Sequence, residues 1–162
     1  MTTRTTQSTQ TLTVHPIDPA RLDAVRGLGE DEHGNPFTAY DATGDGEPLR
    51  CCLRYARPGE RIALISWAPF TELSPWREVG PVYVHAERCE GYAEMWLPGE
   101  LRRGPRVLRT YRDDGSMDYA HNTLVGEEDL EPELDRLLSE PGVATVHVRT
   151  VLPQCFLYAV TR

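Results

Sequence analysis

From Leu49 onward the apolar residues of this chain come in short runs, and nearly every run is closed by proline or glycine. Proline removes a backbone donor and fixes φ, while glycine frees it, so such runs cannot join into long helices. They read instead as strands that must find partners in a sheet. Leu49–Tyr55 alternates, with Leu49, Cys51, Leu53 and Tyr55 on one face and Arg50, Cys52 and Arg54 on the other. Pro58-Gly59 is a turn, and Ile62–Trp67 is an almost continuous apolar strand, so the two segments are expected to form a β-hairpin. Val82–Ala86 is a further strand. Val107–Arg112 and Met117–Val125 flank the turn signal Asp113-Asp114-Gly115, and Val143–Thr150 and Cys155–Arg162 are joined by a short loop.

Only two segments carry helical spacing. Asp18-Pro19 supplies an N-cap and a first-turn proline; Leu22, Val25 and Leu28 follow, and Gly29 is positioned to end the helix. Glu127–Ser139 places Leu130, Leu134, Leu137 and Leu138 on one face and acidic residues at the N-terminal end, where the helix dipole favours them. Thr11–Ile17 is expected to be a short edge strand. Glu30–Pro48, Pro69–Val79 and Glu87–Gly104 read as irregular connections. The sum is an α+β fold: a mostly antiparallel β-sheet with two short helices, a single domain over residues 11–162, behind a disordered tail at residues 1–10.

A chain of 162 residues buries enough surface for a core without staples. Its net charge of −8 argues against a nucleic-acid surface, which needs a basic face. No apolar run approaches a membrane span, and the N-terminus lacks the apolar stretch of a secretory signal, so a cytoplasmic location is the expectation. All 17 basic residues are arginine, a pattern of biased codon usage that warns against reading each one as an anion ligand. The four cysteines are expected to be reduced thiols.

Candidate chemistry rests on strand parity. His85 shares a face with Tyr83; His147 with Val143, Thr145 and Arg149; Arg109 with Val107 and Tyr111; Arg50 with Cys52 and Arg54. If these faces meet, Arg50, His85, Arg109, His147 and Arg149 line a pocket for a small carboxylate or phosphate, since arginine offers planar bidentate recognition. The plain alternative is a solvated outer face paired with the many carboxylates. Cys155, beginning the last strand on the face of Leu157 and Ala159, reads as a packing residue; as a nucleophile it would need a base such as His147. Cys51 reads as core and Cys52 as the more exposed thiol and second catalytic candidate. No metal is assigned: His85 and Cys89 have a spacing that suits a helix, but on an extended strand four residues span about 13 Å, far beyond what one ion can bridge. Only a sharp bend after His85 would bring them together. No phosphate loop, dinucleotide fingerprint or nucleophile elbow is present, which excludes common enzyme classes only in their standard forms and leaves any cofactor unknown.

Pro48 with Arg50, Pro58-Gly59-Glu60, Gly80-Pro81-Val82-Tyr83-Val84, Leu108-Arg109-Thr110-Tyr111, and His147 through Cys155 to Arg162 together resemble the bacterial family catalogued as domain of unknown function 1203, over about Pro48 to Arg162. The resemblance implies a small stand-alone bacterial cytosolic domain and supplies no activity, cofactor or catalytic residue. The chain departs from the family pattern at Leu49, where many members carry cysteine, at Arg112, where aspartate is expected, and at Gln154, where glycine usually precedes the last cysteine. With no activity implied, three readings stand: an anion-binding domain, a small enzyme built on a Cys/His pair, or a protein-interaction module.

Overall fold

In the computed structural model, which describes residues 11–162, the short runs pair into two five-stranded sheets. In chain order the elements are β1 (Thr13–His15), α1 (Pro19–Leu28), β2 (Tyr40–Asp41), β3 (Pro48–Leu49), β4 (Arg54–Tyr55), β5 (Arg61–Trp67) and β6 (Gly80–His85). They continue with β7 (Arg106–Tyr111), a 3-10 turn at Tyr119–His121, β8 (Thr123–Val125), α2 (Leu130–Leu137), β9 (Thr145–Arg149) and β10 (Phe156–Thr161). The first sheet has the order β1-β10-β9-β7-β8 and is antiparallel throughout. The second runs β2-β5-β6-β3-β4, antiparallel except that β3 lies parallel to β6. This is an α+β fold. The expected tail at residues 1–10 lies outside the described residues.

Both helices follow their sequence signals. The Asp18 carboxylate accepts from the Ala20 amide at 2.8 Å, and Gly29 closes α1 in the left-handed conformation with φ 70°. Leu22 and Val25 are buried, but Leu28, expected on the same face, is exposed at the end of the helix, because two three-residue steps turn it about 120° away from Leu22. On α2, Leu130, Leu134 and Leu137 are fully buried against Leu108, Val146, Val148, Tyr158 and Val160 of the first sheet. Each such leucine contributes roughly 1.5–3 kcal/mol through burial.

A second core lies between the sheets. Ile62, Ile65, Trp67, Val82, Val84 and Leu49 meet Phe156 and the buried face of α1 there. Arg50 ties the sheets across it. Its Nε donates to the Phe156 carbonyl at 2.7 Å, and its own carbonyl accepts from the Ile17 amide at 3.1 Å.

Three expectations need correction. Leu49–Tyr55 is not one strand paired with β5. It is a tight hairpin in which Pro48 pairs with Tyr55 and Leu49 with Arg54, and residues 50–53 are the turn. Met117–Val125 pairs with β7 only at its ends, through the bridge from Tyr111 to Met117 and through β8, with the 3-10 turn between. The strand parity of β10 is broken by a register shift between Phe156 and Tyr158, so Leu157 joins the helix-side core while Ala159 faces the inter-sheet core. The long segment 30–48 is held by carboxylates acting as hubs. Asp31 accepts from the amides of His33, Asn35 and Ser66, and Glu47 from those of Thr43 and Gly44. Among the described residues no helix is long and apolar enough to cross a membrane.

Candidate functional site

The hairpin that replaces the expected strand builds the site. Leu49 pairs with Tyr83 across the parallel β3–β6 contact, and the Arg50 amide donates to the Tyr83 carbonyl at 2.9 Å. The chain then turns sharply: the Leu53 amide reaches back to the Leu49 carbonyl at 2.9 Å, and Leu53 takes a left-handed φ of 56°. A β-strand would send Cys51 and Cys52 to opposite faces. The turn instead aims both thiols at the end of β6, where His85 sits.

The second half of the site comes from a bend. β6 stops at His85, and Ala86 and Glu87 turn the chain before Cys89. Helix α1 fixes this bend from behind: Arg26 Nη2 donates to the His85 carbonyl at 2.9 Å, and Arg88 pairs with Asp23. The extended geometry that separated His85 from Cys89 therefore ends at His85 itself.

The outcome is a cluster of three sulfurs and one ring nitrogen. Cys51, Cys52, His85 and Cys89 present donor atoms that all lie within 4.8 Å of one another. His85 Nδ1 is 3.5 Å from Cys51 Sγ and 3.6 Å from Cys52 Sγ. Tetrahedral zinc, with bonds of about 2.3 Å to sulfur and about 2.0–2.1 Å to nitrogen, sets sulfur and nitrogen about 3.6 Å apart. Cys51 Sγ also accepts the His85 backbone amide at 3.3 Å, a bond that favours a thiolate. Cys51 and Cys52 are both buried, which corrects the expectation of an exposed Cys52, while Cys89 is half-buried.

Outside the donors stands a polar shell. His85 Nε2, on the far side of the ring, lies 3.5 Å from Glu60 Oε1. Glu60 is held by Arg54 at 2.7 Å and by the Arg57 amide at 2.7 Å, and Arg54, followed by its other donors, keeps the carboxyl down at about 2. Protons in the cluster are shared unequally. Hydrogen bonds from Cys51 and Cys89 favour the charged imidazole and push His85 up to about 10. Cys89 is driven below the ordinary thiol range by hydrogen bonds from Cys51 and Cys52, and the same crowding pushes Cys52 up. A cluster that favours a thiolate is suited to a soft divalent metal, whose binding would displace the proton of His85.

The family model described as "Protein of unknown function (DUF1203)" matches residues 46–162. The chain belongs to this family. All four donors, Glu60 and Arg54 fall inside the DUF1203 segment, whereas α1, which braces the bend, precedes it. Comparison with curated proteins and with solved structures gives no match.

The remaining site candidates divide among separate places. Arg50 is buried, and burial lowers it to about 10; its donors go to the Phe156 and Pro48 carbonyls, so it ties sheets together. His147 is enclosed by Phe70, Tyr111 and Phe156, with ring centroids 4.8, 4.5 and 4.9 Å away. Arg109 and Arg149 stay together on one face of β7 and β9 beside Gln154. Cys155 lies on the loop before β10, its thiol 3.9 Å from the Pro153 carbonyl. Of the polar face expected to be a pocket or a solvated surface, His147 is packed into the inter-sheet core, while Arg109 and Arg149 line a small cavity at its edge. What the sequence reading missed is the pairing of Cys51-Cys52 with His85 and Cys89. The available signal was the loop composition that begins just after His85.

Proposed function

We propose that this domain is a metal-binding protein that holds one zinc ion through the thiolates of Cys51, Cys52 and Cys89 and the Nδ1 of His85. The observation that carries this reading is the convergence of those four donors, from two segments far apart in sequence, within 4.8 Å. Zinc is favoured because three thiolates and an imidazole form a borderline-soft, tetrahedral donor set. Four protein donors would close the ion's coordination, which points to a structural or storage role rather than to activation of water. Glu60 would accept from His85 Nε2–H, fixing the tautomer that leaves Nδ1 free for the metal. A reducing, cytoplasmic setting agrees with thiols kept as ligands.

The test is metal content and ligand-field spectroscopy of the purified full chain. One zinc per chain by elemental analysis is expected. Cobalt substitution should give the intense visible bands of tetrahedral cobalt with sulfur-to-metal charge transfer. Cobalt with only octahedral absorption, or zinc retained equally by Cys52→Ser and Cys89→Ser, would overturn the reading.

A further inference from the structure

A second built site lies on the face of the first sheet that meets the second sheet, and it does not depend on the metal centre. In the β7–β9 pairing, Val107 stands opposite Arg149 and Arg109 opposite His147, so the two arginines are diagonal neighbours on one face. Their guanidinium groups converge on a single oxygen. Glu78 Oε2 lies 2.5 Å from Arg109 Nη1 and 3.0 Å from Arg149 Nη2. Gln154 accepts from both as well, through its Oε1 from Arg109 Nη2 at 2.6 Å and through its carbonyl from Arg149 Nη1 at 2.9 Å.

Two features of this arrangement call for an explanation. Gln154 takes a left-handed φ of 53°, a conformation of order 1 kcal/mol or more unfavourable for a residue with a side chain. That backbone turn is what aims both its acceptors at the two arginines. Arg149 is buried, yet among the described residues its Nε has no hydrogen-bond partner. A buried donor without a partner costs about 1–3 kcal/mol. Local strain and an unmet donor coincide at this spot, a combination that native structures concentrate at functional sites.

The space in front of the arginines is small and largely apolar. A cavity of about 220 Å³ is walled by Trp67, Val82 and Phe156 as well as the two arginines and Gln154. That is below the 300–1,000 Å³ range of sites for drug-sized ligands, so it admits only a small molecule. Two guanidinium groups against one carboxylate leave one positive charge over. Glu78 comes from the irregular segment between β5 and β6 and its side chain is 46% exposed, so the carboxylate that neutralises the largely buried arginine pair is open to water.

The geometry points to a binding site for a small carboxylate with a flat apolar body, whose carboxylate takes the place of Glu78 on Arg109 and Arg149. Glu78 is then an internal placeholder: it neutralises the pair in the free protein and withdraws with its segment when a ligand enters. The apolar walls receive the body, and the arginine pair supplies planar recognition of the carboxylate.

Titration calorimetry of the full chain with benzoate, benzamide and inorganic phosphate tests this. Benzoate is expected to bind, and Glu78→Gln should tighten it roughly tenfold by removing a tethered competitor. Arg109→Gln, at the wetter of the two arginines, should abolish binding while leaving the melting temperature near that of the wild type. Benzoate binding that is unaffected by Arg109→Gln, absent even in Glu78→Gln, or matched by neutral benzamide would overturn the assignment. So would phosphate binding in place of benzoate.

Discussion

The Nε2 of His85 lies 3.5 Å from Oε1 of Glu60, on the side of the ring opposite the thiols of Cys51 and Cys52. The imidazole thus bridges a sulfur cluster and a carboxylate that Arg54 holds in place at 2.7 Å. A carboxylate behind a ligating histidine orients the ring and raises its basicity, and losing it typically weakens metal affinity about 10–100-fold.

Glu60→Gln is therefore expected to bind zinc about 10–100-fold more weakly than the wild type while retaining one site per chain. Competition against a chromophoric chelator at fixed pH measures the change. An unchanged affinity would show that Glu60 serves only the Arg54 and Arg57 contacts.

Cys89 is the half-buried donor and lies outside the regular strands. Cys89→Ser should lose tight zinc binding yet change the stability of the metal-free protein by less than about 1 kcal/mol. For the wild type, free zinc at a hundredfold excess over its Kd should add about 2.7 kcal/mol and raise the melting temperature by roughly 5–11 °C. In Cys89→Ser that increment should vanish. Differential scanning calorimetry with and without zinc decides it.

His147 gives the pH prediction. Burial, then the charges of Arg149 and Arg109, hold its pKa well below the ordinary 6.5. The unfolded chain takes up a proton near pH 6.5, and the folded chain does not until far lower, so this histidine lowers stability as pH falls below that value. The slope from one such group is about 1.4 kcal/mol per pH unit. His15, also lowered by burial, acts in the same direction. His147→Phe keeps a ring beside Phe70 and Tyr111 and should flatten the decline between pH 6.5 and 5 by about that slope. Urea unfolding at several pH values reads it, and parallel curves for the two proteins would refute it.

Leu134 is fully buried at the centre of the α2 contact. Leu134→Ala should cost 2–5 kcal/mol, at the scale of about one deleted core leucine, with the dependence on urea concentration unchanged. A loss below about 1 kcal/mol would mean that α2 is not anchored to the sheet as described.

Much of the fold was legible because its signals are local. Asp18, Pro19 and Gly29 bound α1, the leucine stripe marks α2, and the apolar runs at Ile62, Val82, Val107 and Val143 each became a strand within a residue or two. The candidate site was legible only in parts. Arg109, Arg149 and His147 share a face, as alternation on adjacent strands requires. Arg50 and His85 do not join them, because parity along one strand carries no information about which sheet, or which end of it, that strand occupies.

What the sequence determined by itself was the set of segments and their periodicity, since propensity, capping and turn chemistry act over a few residues. What only the tertiary structure decided was where the chain leaves the extended form. The parallel contact of Leu49 with Tyr83 forces the turn that turns Cys51 and Cys52 the same way, and the grip of Arg26 on the His85 carbonyl sets the bend that returns Cys89. Both are long-range contacts, and a donor cluster made from residues so far apart in the chain exists only once they have formed.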